Sequence, residues 1–147
     1  MRGPLPPIDG HGIPVDEVTR PWWDATVNRI LVIQRCMPCG HWQHYPRVLC
    51  TRCGSTELTF AEVSGAGVID TYTEVLRSVR PDLAPPYIVA RVRLAEGPIL
   101  LSWLVDLQVT DGLIGRPVSL AWAPVSDGRN LPVFRLSEEV PPPWTSP

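Results

Sequence analysis

Four cysteines, arranged as two C-x-x-C-G motifs, are the residues of this 147-residue chain that most clearly indicate a chemistry. Cys36 and Cys39 belong to the first motif and Cys50 and Cys53 to the second, with ten residues between Cys39 and Cys50. A two-residue gap lets both sulfurs of a turn reach one ion, and the separation suffices for one hairpin, although about 15–20 residues are more usual. Four thiolates make a closed tetrahedral site with no position for substrate. The pattern therefore predicts one structural zinc ion.

Other uses of the cysteines have less support in the sequence. Disulfides belong to secreted chains, and the first residues lack the apolar core of a signal peptide. A redox C-x-x-C needs one pair in a thioredoxin-like context, which is missing. Iron in a rubredoxin-like S4 site remains chemically open. His41 and His44 could each replace a cysteine as ligand, but with four thiolates available we expect both on the ribbon surface.

Composition excludes several functions. All 13 basic residues are arginine, so Schiff-base chemistry on a lysine amine is excluded. A formal net charge of -2 argues against nucleic acid as the main partner. No apolar run approaches the ~20 residues that span a bilayer, so we expect a cytoplasmic protein without membrane contact. No Ser/His/Asp set or open metal site is apparent in the sequence, which predicts no activity for the isolated chain.

The cysteines need flanking elements to position them. Thr19 and Pro21 predict the start of a helix that runs to Asn28, with Trp23 and Val27 sharing its inward face. The β-branched run 30–35 predicts a strand that enters the first cysteine turn. Beyond the cysteines, strands are expected at 57–63, 68–79, 87–94, 99–105, 118–123 and 133–136, with a glycine-rich break at 64–67 and a loop at 77–86.

The chain therefore reads as mainly β, with a helix and zinc ribbon followed by a small barrel of about five strands. The expected boundaries are an extended leader at 1–18, the helix and ribbon at 19–60, the barrel at 61–137, and a flexible or partner-docked tail at 138–147. Trp42, Tyr45, Trp103 and Trp122 are interpreted as core residues.

Several motifs along residues 20–136 resemble one family in its own order. They are PWW, LVIQRCMPCG, CTRCGS, VSGAGVIDTYTEV, PYIVARVRLAEGP and LPVFR. The chain is similar to the zinc-ribbon/OB-fold proteins associated with acyl-CoA enzymes, long known as a domain of unknown function. The resemblance implies a rubredoxin-like zinc ribbon joined to a five-stranded OB barrel.

The resemblance also implies partners. Members accompany thiolase-fold enzymes, including thiolases, archaeal hydroxymethylglutaryl-CoA synthases and actinobacterial aldolases that shorten steroid side chains. The family protein looks like a non-catalytic subunit of a heteromer that helps to hold acyl-CoA, and it is often fused to a MaoC-like hydratase. No hydratase segment is present in this sequence, so we expect a stand-alone subunit or the excised domain of a fusion. Lipid metabolism, with steroid degradation as one case, is the expected setting.

Arginine forks are the groups that such a subunit would offer to CoA phosphates or to partner carboxylates. The candidate CoA- or partner-binding residues are Arg35, Arg47, Arg77, Arg80, Arg91 and Arg93. The alternative function is binding of single-stranded nucleic acid, which zinc ribbons and OB barrels also perform. That alternative requires a basic groove lined with exposed aromatic residues.

Overall fold

The computed structural model describes residues 8–107 and 110–141, so parts of the expected leader (1–7) and tail (142–147) lie outside it. Within those ranges the chain forms one helix and eight strands. They are α1 Arg20–Val27, β1 Val32–Cys36, β2 Trp42–Gln43, β3 Leu58–Glu62, β4 Gly67–Val75, β5 Tyr87–Leu94, β6 Ile99–Leu104, β7 Pro117–Pro124 and β8 Asn130–Leu136. The mainly β fold, with a ribbon preceding a barrel, confirms the expectation from the sequence.

Helix α1 buries one of the two side chains that were expected to face inward. Thr19 precedes the first turn and Pro21 lies within it, but no side-chain cap bond forms, because the Thr19 hydroxyl donates to Asp16 Oδ1 at 2.9 Å. The predicted inward position of Val27 is wrong, since this side chain is 52% exposed. The predicted inward position of Trp23 is confirmed, since it is 6% exposed, and the adjacent Trp22 is buried as well, because the short helix lies in an angle between ribbon and barrel and is covered on two sides.

The ribbon is a three-stranded antiparallel sheet in the order β2-β1-β3. Central strand β1 pairs with β3 along its full length, from Val32 opposite Glu62 to Cys36 opposite Leu58. This register places the end of β1 at the first cysteine turn and brings the residues after the second turn back beside it. The pairing thus positions both cysteine motifs at one end of the sheet.

The barrel closes in the order β4-β5-β6-β8-β7. Strand β5 alternates strictly, with Ile88, Ala90, Val92 and Leu94 each at most 1% exposed and the more exposed Val89, Arg91 and Arg93 between them. Phe134 on β8 is fully buried, and the barrel core joins the two helix tryptophans in one apolar cluster. The helix is tied to β8 by the Asn130 side-chain amide, which donates to the carbonyl of Thr26 at 2.9 Å.

The glycine-rich break between β3 and β4 has a steric cause. Gly65 has φ +75°, and a Cβ there would lie 2.5 Å from the Cβ of Leu120. Only glycine combines this backbone conformation with so close an approach. The break predicted at 64–67 is therefore the turn at which the chain leaves the ribbon and enters the barrel.

Strands β6 and β8 form the least regular seam of the barrel. They run parallel, and one residue pair, Leu104 with Phe134, is in ladder register. Farther along, a side chain closes the gap, because the Ser102 hydroxyl donates to the carbonyl of Pro132 at 2.6 Å. Strand β6 therefore borders a surface recess that is not covered by a neighbouring strand.

Residues that follow the undescribed N-terminal stretch lie against the barrel. Ile8 is 2% exposed and forms a parallel bridge with Val125, where it packs on alanines of β7. Part of the predicted leader thus contributes to a second, smaller apolar cluster. In the described part of the chain, no helix has the length and hydropathy needed to cross a bilayer.

Candidate metal centre and ligand cleft

The four cysteine sulfurs converge on one point, with all Sγ atoms within 4.8 Å of one another. Cys36 and Cys53 are separated by 3.6 Å and Cys39 and Cys50 by 3.7 Å, measured between sulfurs. A zinc–sulfur distance of about 2.3 Å in tetrahedral geometry places sulfurs about 3.8 Å apart. The spacing of the thiols therefore fits one zinc ion, as the sequence predicted.

The two cysteine turns are built alike. Gly40 N–H donates to the Cys36 carbonyl and Gly54 N–H donates to the Cys50 carbonyl, each at 2.9 Å. Both glycines have a positive φ, +71° and +75°, which the turn requires and side-chain residues rarely adopt. This repeat explains why glycine follows each C-x-x-C pair.

The thiols alone do not ionise equally. Burial raises the pKa of Cys50, but the N–H groups of Cys53 and Arg52 directed at its sulfur, together with neighbouring thiols, lower it to about 6. The N–H of Cys39 lowers the pKa of Cys36, but burial and the adjacent thiols raise it to about 12. Four thiolates at this spacing repel one another, so a divalent cation is what allows all four to be charged.

Two buried glutamines, which the sequence analysis did not identify, hold the segment between the cysteine turns. Gln43 donates to Gln34 Oε1 at 2.6 Å, and Gln34 in turn bonds both backbone groups of Arg47, at 2.8 and 2.9 Å. Gln43 Oε1 also accepts from the backbone N–H of Thr51 at 2.9 Å. The flanking residues did not mark them, because Gln34 stands between Ile33 and Arg35 and only the folded ribbon covers both amides.

Three of the six candidate arginines are paired with carboxylates of the same chain. Arg80 pairs with Asp82 at 2.6 Å, and its guanidinium lowers the pKa of that carboxyl. Arg91 and Arg93 both approach Asp70, at 3.5 and 3.4 Å. The six positions do not converge on one site, and these three face carboxylates of the same chain.

The remaining three arginines differ in their surroundings. The Arg35 guanidinium lies 5.1 Å from the centre of the Trp42 ring, a cation–π contact. Arg47 and Arg77 are exposed and form no ion pair with any carboxylate in residues 8–107 and 110–141. Arg47 lines a polar groove of about 420 Å³ between ribbon and barrel, together with Arg93, His41 and Glu96.

An aromatic cleft of about 680 Å³ lies next to the polar groove. We define it by its principal walls, which are Trp22, Trp23, His44, Tyr45, Leu101 and Trp103. The polar groove and the aromatic cleft share His44 and Ile99, so they form one continuous depression. The interpretation of Tyr45 as a core residue is wrong, because its side chain is 41% exposed, whereas Trp103 is half-buried and packs against the smaller apolar cluster.

His44 is the ionisable group of the cleft. Burial lowers its pKa to about 4, so the imidazole is neutral at physiological pH. Its ring lies 5.6 Å from the Trp22 ring at a tilt of 44°, and it meets the Tyr45 ring edge-to-face at 5.4 Å between ring centres. His41 and His44 are both half-buried, His44 within the depression and His41 in contact with Thr51 at 3.2 Å. Neither histidine belongs to the group of four potential metal ligands.

Two known protein domains match this chain, and the boundary between them coincides with the boundary between ribbon and barrel. Residues 23–59 match the ChsH2 rubredoxin-like zinc ribbon domain, and residues 61–123 match the ChsH2 C-terminal OB-fold domain. A probable enoyl-CoA hydratase alpha subunit from Thermomonospora curvata is 38% identical over 114 residues, covering 78% of this chain. The matched segment spans only 36% of that relative.

Two further similarities extend over most of the proteins concerned. A DUF35 domain-containing scaffold protein from Pyrococcus furiosus is 31% identical over 105 residues, which are 71% of this chain and 76% of the relative. A solved structure described as "Ltp2-ChsH2(DUF35) aldolase" superposes with a TM-score of 0.76 at 35% identity, covering 83% of this chain and 96% of that one. The chain therefore belongs to the DUF35 family, in the branch of the ChsH2 zinc-ribbon and OB-fold domains.

Proposed function

We propose that this protein is a non-catalytic, zinc-binding subunit that binds and supports a thiolase-fold acyl-CoA enzyme and helps to form its CoA-ester site. The enzyme would be an aldolase or a thiolase of lipid metabolism, with steroid side-chain degradation as the specific case. The observation that carries the proposal is the similarity, at 35% identity over nearly the whole of that chain, to a structure described as an Ltp2-ChsH2 aldolase. The hydratase name of another relative supports an additional hydratase partner.

The ribbon supplies a surface suited to such a partner. Met37, Val48 and Leu49 are 63%, 66% and 49% exposed, and they lie beside the cysteines that the zinc site holds together. Metal binding fixes these apolar side chains in one region without requiring a core beneath them. An exposed apolar group on a rigid frame is typical of a protein-binding surface.

The polar groove supplies cations for the nucleotide part of a CoA ester. Arg47 has no carboxylate partner among the described residues, and its backbone is fixed by Gln34, so its guanidinium extends from an ordered position. A phosphate in the groove would accept two parallel hydrogen bonds from the N–H groups of this guanidinium. The barrel arginines are less suited to nucleic acid, because Arg91 and Arg93 face Asp70 rather than an open basic surface.

The test is co-expression of the tagged chain with the thiolase-fold enzyme encoded nearest to its gene. We expect the two to purify together and acyl-CoA turnover to require both. Arg47→Glu should raise the KM for the CoA ester by about ten-fold while leaving the complex intact, since one charge-assisted contact is lost and reversed. Arg116→Gln, at an exposed position outside both depressions, is the matched control.

Two results would contradict the proposal. The first is separate elution of the chain and the enzyme after co-expression. The second is acyl-CoA turnover by the isolated chain at a rate that the partner does not change. Retarded migration of single-stranded DNA or RNA by the chain at physiological salt would instead support the nucleic-acid alternative.

A further inference from the structure

The first residues that the structure describes lie as a strap across the hairpin that joins β7 to β8. We define the strap as residues 8–13. The Ile8 N–H donates to the Pro124 carbonyl at 3.3 Å, and the Ile8 carbonyl accepts from the Ser126 N–H at 2.8 Å. The Ser126 hydroxyl accepts from the Gly10 N–H at 2.9 Å. Backbone and side-chain hydrogen bonds therefore seat the strap on this hairpin.

The strap fits its seat closely. Ile8 is 2% exposed and belongs to the smaller apolar cluster, which it forms with side chains of β7 and β8. A Cβ at Gly10 would lie 2.2 Å from Asp127 Oδ2 and 2.9 Å from a methyl carbon of Val125. Since both distances are well below van der Waals contact, a side chain at position 10 must displace either the strap or the Asp127 carboxylate.

Arg129 connects the strap to helix α1. Its side chain is 13% exposed, and it donates from Nη2 to the Gly10 carbonyl at 3.4 Å and from Nε to Asp127 Oδ2 at 2.9 Å. The same guanidinium lies 4.6 Å from the centre of the Trp23 ring. A cation–π contact of this kind is stronger when it is shielded from water, as the burial of both side chains provides here. One guanidinium therefore contacts the strap, the hairpin and the helix.

Trp23 transmits this contact to the aromatic cleft. The rings of Trp23 and Trp22 meet edge-to-face with their centres 4.6 Å apart, and the Trp22 ring lies 6.1 Å from the Tyr45 ring. All three side chains line the cleft. Because closely packed rings cannot move independently, a displacement of Trp23 displaces this wall of the cleft as well.

A second set of contacts reaches another wall of the cleft. Trp103 and Leu131 are half-buried, and both pack against the apolar cluster that contains Ile8. Both residues also line the cleft. The strap therefore supports the cleft at two places, through Arg129 at the helix tryptophans and through Ile8 at the seam between β6 and β8.

Helix α1 depends on contacts of this kind. It has eight residues, and no side chain caps its first turn. A helix of this length is marginal in water unless tertiary contacts hold it. Loss of the Arg129 contact with Trp23 should therefore loosen the whole helix and not one side chain alone.

We propose that the strap is a conformational control element, which holds helix α1 in place through Arg129 and thereby sets the shape of the aromatic cleft. While the strap is seated, two walls of the cleft are fixed. When the strap is displaced, the helix loosens and the cleft loses its fixed shape. The inference goes beyond the proposed function, because it concerns the isolated chain and requires neither an enzyme partner nor a ligand.

The test uses the zinc-loaded full chain and two substitutions that displace the strap at different points. Ile8→Asp places a charge in the smaller apolar cluster, where no cation compensates for it among the described residues. Gly10→Ala adds the Cβ that collides with Asp127. His11→Ala, which changes a strap side chain that is 99% exposed, is the matched control.

Hydrogen exchange and the indole N–H resonances report the result. In both variants we expect the amides of α1 to exchange about ten-fold faster, because the helix opens locally, while β5 keeps its protection. The resonances of Trp22, Trp23 and Trp103 should shift, and that of Trp42 should stay in place. His11→Ala should match the wild type in both measurements.

A third variant tests whether Arg129 carries the effect to the helix. Arg129→Lys keeps a positive charge but loses the planar group that contacts the strap and the Trp23 ring together. It should speed exchange in α1 while Ile8 stays protected and the Trp103 resonance stays in place. Combined with Ile8→Asp, it should add little to the exchange rate of α1, since both changes break the same connection.

Three results would overturn the inference. The first is exchange at the wild-type rate in α1 after the strap has lost its protection. The second is equal acceleration in α1 and β5, because that indicates a general loss of stability. The third is a strap that stays protected in both Ile8→Asp and Gly10→Ala. None of these results depends on enzyme binding, so the inference and the proposed function stand or fail separately.

Discussion

The ribbon and the barrel reach stable structures by different means. The barrel buries a continuous apolar core, in which Phe134, Val92 and Leu113 are fully inaccessible to water. Around the cysteines, the ribbon buries sulfur and amide groups instead, with Cys36, Gln34 and Gln43 among its least exposed side chains. A ribbon of this size has too little apolar surface to be stable by burial alone, so the bound metal contributes the missing stability. The difference implies that the two regions fail under different treatments.

Loss of the metal should produce the largest and most local effect. Chelation of zinc, or Cys50→Ser, removes binding energy that is folding energy at a closed thiolate site, so residues 36–58 should lose several kcal/mol of local stability. Hydrogen exchange checks this directly, with fast exchange expected in the ribbon and continued protection in β5 and β8. Uniform loss of protection across both regions would contradict the comparison, and so would a ribbon that stays protected.

Truncation of the barrel core should have the next largest effect and the opposite distribution. Phe134→Ala leaves a cavity in a fully buried site, and we expect a loss of about 3–5 kcal/mol in the free energy of unfolding. Urea denaturation measures this loss, and zinc content should remain at one ion per folded chain. Ile114→Ala, at a side chain that is 65% exposed, serves as control and should change stability by less than about 0.5 kcal/mol.

Removal of the glutamine contacts should have an intermediate effect on the ribbon alone. Gln34→Ala leaves the backbone groups of Arg47 without their partner and removes one of the two acceptors of the Gln43 amide, at an expected cost of about 1–3 kcal/mol. We also expect faster transfer of zinc to a chelator, because the segment between the cysteine turns is released. Arg47→Ala is the matched control, since Gln34 bonds only the backbone of that residue. Identical zinc-transfer rates in the two variants would contradict this role.

Acidification should give the smallest of these effects. Burial lowers the pKa of His44 from about 6.5 to about 4, so the unfolded chain binds a proton more readily than the folded chain. Stability should therefore fall as pH drops below about 6.5, by about 1 kcal/mol between pH 7 and pH 5.5. Thermal unfolding of wild type and His44→Gln at both pH values isolates this contribution. A pH dependence that the variant retains in full would assign it to other groups.

The regions also differ in how far their sequence predicted their structure. The cysteine motifs and the alternation of β5 predicted the metal centre and the barrel, because both signals depend on local spacing. The helix face was wrong at Val27, since contacts with two neighbouring regions, not helical periodicity, decide which side chains are covered. The paired glutamines were not identified, because their burial depends on how the ribbon folds over them and not on the residue pattern of the strand. The aromatic cleft was not identified, because it depends on side chains brought together from distant parts of the chain.

The sequence likewise predicted the position of the arginines but not their ion-pair partners. Sequence position placed Arg91 and Arg93 on one barrel face, which the structure confirms. It did not reveal that Asp70, on the neighbouring strand, lies within 3.5 Å of both. The register between neighbouring strands decides which arginines pair with a carboxylate. Arg47 has no such pair among the described residues, so it is the stronger candidate in the polar groove for a ligand or partner contact. The assignment of Arg47 and Arg77 to ligand or partner contacts stays a prediction.

The central claim is that this DUF35 protein acts as a subunit of an enzyme. Sedimentation velocity of the zinc-loaded chain mixed with the separately purified thiolase-fold enzyme tests it most directly. We predict one heteromeric species at micromolar concentration, and its loss after zinc is removed from the chain. Two species that sediment independently, at the rates of the separate proteins, would contradict the claim.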